Sequence, residues 1–144
     1  MEVKATYPFD APASRVWNAL MDPAIVCSCI PGCHELRPVG ENKYETELSV
    51  AVSVVTGTFK GSIALEDQVP NRSYKLVVEG SGGAGFVRGH SIVTLNEDGA
   101  KTLVDVAGDV QIGGAIARVG QRLLSGVSKM MMDRFFECLR QKIV

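Results

Sequence analysis

Three groups of residues in this sequence have types and spacings that could do chemistry. Gly80-Ser81-Gly82-Gly83-Ala84-Gly85 matches G-x-G-x-x-G, a pattern that brings backbone close to a pyrophosphate at the start of a helix. The residues that follow, Phe86-Val87-Arg88-Gly89-His90-Ser91-Ile92-Val93, read as a strand. The helix a dinucleotide needs is missing, and the glycines read as a hairpin tip that uses positive φ. Cys27, Cys29, Cys33 and His34 crowd into a second group. Zinc accepts Cys₃His, but its ligands come as separated pairs and no second pair is present. A Cys29–Cys33 redox couple has no basic neighbour to lower a thiol pKa. Small apolar thiols lining a helix-to-sheet junction account for the cluster, so neither a metal nor a disulfide in the cell is expected. The third group is His90 with Arg88, near each other on one strand face, where the imidazole could serve as a general base in a cavity. No nucleophile-elbow or metalloprotease motif accompanies them. Glu66, Glu79, Asp105 and Asp109 are scattered and read as solvated strand faces.

The elements that must position these groups follow from periodicity. Residues 115–144 place Ile116, Val119, Gly120, Leu123, Leu124, Val127, Met130, Met131 and Phe135 on one helical stripe, with Arg118, Arg122, Ser125, Lys129, Asp133 and Arg140 opposite. Gly113-Gly114 break the chain before this helix. Upstream the period is two. Residues 3–9 form a first strand. Pro12 opens a short helix with Val16, Trp17 and Leu20 on its apolar face, and Asp22-Pro23 caps a second. Strands then succeed one another at 34–39, 44–54, from Gly57 through Leu65, around Tyr74-Leu76-Val78, at 86–95 and at 103–112, with Asp98-Gly99 as a hairpin signal. This order predicts an α+β fold in one domain, residues 1–144, with an antiparallel sheet closed around a long terminal helix. Met132 and Phe136 fall near the polar side beside the cations, a candidate membrane-facing or partner-facing patch.

Composition narrows the function classes. The net charge is −1 and no basic stripe appears, so nucleic acid is not expected as a partner. The start, Met1-Glu2-Val3-Lys4, lacks an apolar stretch, and no run is long enough to span a bilayer, so neither signal peptide nor anchor is expected. The four cysteines are too few for a secreted scaffold and read as reduced thiols in a cytoplasmic protein.

Taken together, several blocks resemble the carbon monoxide dehydrogenase G-subunit family, within the START and birch-pollen-allergen superfamily of helix-grip domains. They are Phe9-Asp10-Ala11-Pro12 with Val16-Trp17, Asp22-Pro23, Cys29-Ile30-Pro31-Gly32-Cys33, Gly57-Thr58-Phe59-Lys60-Gly61, Gly82-Gly83-Ala84-Gly85-Phe86 with Gly89, and Gly113-Gly114 with Gly120-Gln121-Arg122-Leu123. The resemblance implies a curved sheet of about seven strands gripping the terminal helix over an apolar cavity. It also implies an accessory role beside molybdenum-containing carbon monoxide dehydrogenases, with a lipid or quinone as ligand and peripheral contact with the inner face of the membrane. The expectation is therefore a non-enzymatic carrier without cofactor, its cavity lined by Trp17, Phe59, Phe86, His90, Gly120, Leu123, Val127 and Met131. Two other readings stand beside it: a cyclase-type or hydrolase-type enzyme using His90 and Arg88, and a pure assembly factor for the dehydrogenase.

Overall fold

The computed structural model describes residues 1–52 and 55–143; the expected continuation of the third strand through Ser53 and Val54, and the terminal Val144, lie outside them. The chain runs β1 (Glu2–Phe9), α1 (Ala13–Leu20), α2 (Pro23–Cys29), β2 (Cys33–Gly40), β3 (Lys43–Val52), β4 (Val55–Val69), β5 (Ser73–Gly82), β6 (Gly85–Asp98), β7 (Lys101–Gly113), a 3₁₀ turn (Ala115–Val119) and α3 (Gln121–Ile143). These strands form one antiparallel sheet in the order β1-β7-β6-β5-β4-β3-β2. This is the expected α+β helix-grip arrangement. Strands β2 to β7 are consecutive hairpins, and the β1–β7 pairing joins distant parts of the chain.

Local chemistry explains the element boundaries. Asp22 caps α2 by accepting from the N–H groups of Ala24 and Ile25 at 3.0 and 3.3 Å, with Pro23 at the first helical position. Pro12 offers α1 no side-chain cap. The carboxylate of Glu97, at the far end of β6, instead accepts from the Ala13 N–H at 2.6 Å. The glycine-rich stretch is a β5–β6 hairpin in which Gly82 pairs with Gly85, and no helix follows it. At Gly61 a Cβ would stand 2.1 Å from the Glu79 carbonyl oxygen, so only glycine permits the close approach of β4 and β5 there.

The terminal helix starts later than its periodicity predicts. Gly120 has φ +99°, a value that ends the 3₁₀ turn before α3 begins at Gln121. Beyond the break the expected stripe holds for Leu124, Val127, Met131 and Phe135, which face the interior, and it is at Leu123 and Phe136 that the expectation fails. Leu124, Phe136, Leu139 and Ile143 are the buried positions of α3. Leu123 is 37% exposed. Phe136, expected on the polar side, is only 5% exposed and stacks on Tyr7 with ring centroids 4.3 Å apart. Met132 is half-buried against the same cluster. The patch expected at Met132 and Phe136 is thus part of the interior.

The C-terminal half of α3 is fastened from several sides. Tyr7 donates to Asp133 at 2.7 Å, and Arg140 donates to the Pro8 carbonyl at 3.1 Å with its guanidinium over the Phe9 ring. Arg15 donates to the Ile143 carbonyl at the helix end. A disulfide joins Cys29, at the end of α2, to Cys138 across 109 residues. That bond overturns the expectation of unpaired thiols. The partner of Cys29 is on a helix far along the chain, where sequence spacing gives no pairing information.

Two outcomes are expected from this packing. Leu139 is fully buried, so Leu139→Ala is expected to lower the urea-unfolding free energy by about 2–5 kcal/mol. Leu123→Ala should change it by less than about 0.5 kcal/mol. Cys138→Ser is expected to lower the melting temperature under non-reducing conditions, because a cross-link closing on the order of 100 residues stabilises by about 4–5 kcal/mol in the chain-entropy view. Adding dithiothreitol should reproduce the loss in the unsubstituted protein and leave the variant unchanged.

Candidate functional site

Strand alternation puts two kinds of surface on the two sides of the sheet. On the inner side stand Tyr44, Leu48 and Val50 of β3, Phe59, Ile63 and Leu65 of β4, Tyr74, Leu76 and Val78 of β5, Val87 and Val93 of β6, and Val106, Val110 and Ile112 of β7. The apolar interior they share with the helices is split in two. One cluster gathers Tyr7, Phe9, Trp17, Leu20, Tyr74, Leu95, Val104, Phe136 and Leu139. The other holds Phe59, Ile116 and Leu124. Between them lies a cavity of about 490 Å³, roofed by Leu124, Val127, Ser128, Met131 and Phe135 of α3 and flanked by Val26, Ile30 and Pro31. That volume lies within the range of roughly 300–1,000 Å³ usual for small-molecule sites.

The cavity wall carries almost no ionisable chemistry. No Lys or Arg borders it among the described residues, and the acids and imidazoles on it reduce to Glu79 and His90. Both are exposed residues at outward-facing strand positions. Glu79 is in register with Arg88, and His90 with Asp109. The backbone of His90 meets the cavity while its side chain shares the outer face with Arg88. That corrects the expectation that the two project inward together. The reason is the parity of β6: buried Val93 and Leu95 fix the inward set as the odd-numbered residues, and 88 and 90 are even.

The remaining expected site residues divide. Phe59, Val127 and Met131 line the cavity. Trp17 is buried in the first cluster, edge-to-face with Tyr74 at 5.7 Å, and does not reach the open space. Phe86 is 39% exposed on the outer face, where the Arg88 guanidinium lies 5.5 Å from its ring centroid. Leu123 does not border the cavity. Gly120 does not border the cavity either. Sequence reasoning did not single out Tyr74, Ser128, Val26 of α2 or Ile30 just after it. Tyr74 alone had a usable signal, since it shares its strand face with Leu76 and Val78.

Elsewhere, a depression of about 830 Å³ on the outer face is lined by His34, Arg37, Glu45, Lys60, Glu79 and Arg88. It is a charged, open surface whose ions meet one another, as Arg37 meets Glu45 at 3.0 Å, and it offers little desolvation to a ligand. The cysteine group also fails as a reactive centre. Burial, and then the contact of Cys27 Sγ with Cys33 Sγ at 2.6 Å, push the Cys27 thiol up to about 12, opposite to an activated thiol. No group of three metal-ligating side chains occurs among the described residues.

On the solvent-facing side of α3, Asp133 is held below the usual carboxylate range by the hydrogen bond from Tyr7 and then by Lys129. A carboxylate whose folded pKa is depressed contributes stability above its unfolded pKa and loses it as pH falls through the folded value. Unfolding free energy is therefore expected to drop as pH is lowered through and below about 4. Asp133→Asn should flatten that part of the profile in denaturant titrations.

Comparison with known proteins follows the same lines. The family model for the G subunit of carbon monoxide dehydrogenase (CoxG) matches residues 8–144. A conserved protein from Geobacillus kaustophilus superposes with a TM-score of 0.97 at 33% identity, covering 99% of this chain and 95% of that one. A START superfamily protein from Mycobacterium smegmatis gives 0.77 at 12% identity, covering 99% and 96%. The Zhui aromatase/cyclase from a Streptomyces species gives 0.74 at 15% identity, covering 99% and 93%. The last two show a shared fold only. No curated protein matches the sequence.

Proposed function

Because the chain belongs to the CoxG family, that of the carbon monoxide dehydrogenase G subunit, we propose that it is a non-enzymatic carrier. It binds an apolar small molecule, a lipid or quinone, beneath α3 and serves a molybdenum-containing carbon monoxide dehydrogenase or related hydroxylase. The observation that carries this reading is the apolar cavity of about 490 Å³ between sheet and helix. Such a space is favourable for a hydrophobic ligand, since transferring apolar surface out of water contributes roughly 25 cal/mol per Å². No helix among the described residues is long and apolar enough to cross a membrane. Exchange with a bilayer would therefore proceed by peripheral contact.

The enzyme reading loses its named residues, because His90 and Arg88 stand on the outer face of β6. A neighbour that is an aromatase/cyclase shares architecture, and function rests on the site rather than on the fold. The assembly-factor reading needs no cavity and gains nothing from this one.

Binding is expected to be visible by mass action. A menaquinone analogue at 100-fold above its dissociation constant should stabilise the protein by about 2.7 kcal/mol, several degrees in a thermal melt. Val127→Trp, which places a large ring in the cavity roof, should abolish the shift, whereas His90→Ala should retain it. Absence of a shift with any apolar ligand would sink the carrier reading. The partner is tested separately, by whether the tagged protein co-purifies with a carbon monoxide dehydrogenase from its own host.

A further inference from the structure

We propose that Tyr74 is the polar anchor of the cavity and that the ligand is an elongated apolar molecule with a neutral carbonyl oxygen at one end. This rests on the cavity-binding reading above. Tyr74 stands on the inner face of β5, is 5% exposed, and lines the cavity where it meets the larger cluster. Buried tyrosine hydroxyls ordinarily have a hydrogen-bond partner. The other buried tyrosine obeys this, with Tyr7 donating to Asp133. The Tyr74 hydroxyl makes no hydrogen bond among the described residues. It is also not a fully enclosed polar atom lacking a partner, since the described residues hold none, so it faces open space. Because Tyr74 borders the cavity, that space is the cavity.

The surroundings decide what can satisfy it. Trp17, Leu20, Leu76 and Val93 are the neighbouring apolar groups. A water held there needs two to four polar partners, and the groups named around the hydroxyl supply none. A ligand oxygen needs one. Burial holds the Tyr74 phenol well above its ordinary range, so it remains a donor at physiological pH, and the ligand must supply the acceptor. The acceptor must also be uncharged. No Lys or Arg borders the cavity among the described residues, and a carboxylate resting on one hydroxyl would lose far more solvation than that bond returns. A ketone, quinone or ester carbonyl meets both requirements. An alkane leaves the hydroxyl unpaired.

Three probes of matched length test this: 2-undecanone, undecane and undecanoate, each displacing a fluorescent apolar dye at pH 7 from the full chain and from Tyr74→Phe. The ketone is expected to bind the natural protein more tightly than undecanoate. Tyr74→Phe should weaken the ketone about three- to tenfold, the range of one net hydrogen bond, and leave undecane unchanged. The melting temperature of empty Tyr74→Phe should be unchanged or raised, since the lost hydroxyl had no protein partner. If undecanoate binds more tightly than the ketone, or if Tyr74→Phe affects ketone and alkane alike, the anchor is overturned while the cavity stands. If the empty variant melts lower, the hydroxyl has a protein partner and the anchor is overturned too. If no probe binds the natural protein, the carrier reading itself fails and takes the anchor with it.

Discussion

The stack of Phe136 on Tyr7, with the Tyr7 hydroxyl donating to Asp133, ties the C-terminal half of α3 to the first strand. Arg140 on Pro8, Arg15 on the last helical carbonyl and the Cys29–Cys138 bond hold the same half from other directions. The N-terminal half has no comparable set of attachments among the described residues, and there Leu124 is the buried position. A straight helix cannot follow a strongly bent sheet along its whole length. Fixing one end closely leaves a gap under the rest, and the cavity runs beneath α3 from Leu124 to Phe136.

Much of this architecture was legible from residue types. Period-two alternation located the strands, because a half-buried sheet must sort its side chains by face. Asp22-Pro23 marked the start of α2 because the cap and the missing N–H both satisfy a helix's first turn. The failure of G-x-G-x-x-G was legible too, since the residues after it were strand-like. What stayed hidden depended on phase or distance. Gly120 interrupts the terminal helix, and although the stripe continued through it from Ile116 held for Leu124, Val127, Met131 and Phe135, it assigned Leu123 inward and Phe136 outward, the reverse of what is found. His90 was placed on the correct strand beside Arg88, but the face depended on which parity the core selects. The Cys29–Cys138 pair depends on the three-dimensional approach of two helices.

The distribution of polar groups gives the fold its functional character. Solved structures of this shape include an aromatase/cyclase, so the architecture accommodates catalysis as well as binding. In this chain the charged side chains bordering the cavity project from the outer face, and the inner face keeps hydroxyls and hydrocarbon. An interior of that kind stabilises a neutral guest by excluding water from it.

The strand order has a kinetic side. From β2 to β7 every neighbour in the sheet is also the next strand in the chain, so this part can zip up by short-range closures with small entropic cost. The first strand and the first two helices are different. They meet β7 and α3 only across most of the sequence, and contacts at such separation form slowly. The slow event in folding is thus expected to be the arrival of residues 1–30 at the far end of the chain. Cys29 and Cys138 sit on the two parties to that encounter. Oxidised early, they would convert a search over 109 residues into a local one, so the redox state of the medium becomes a setting on the folding rate as well as on stability.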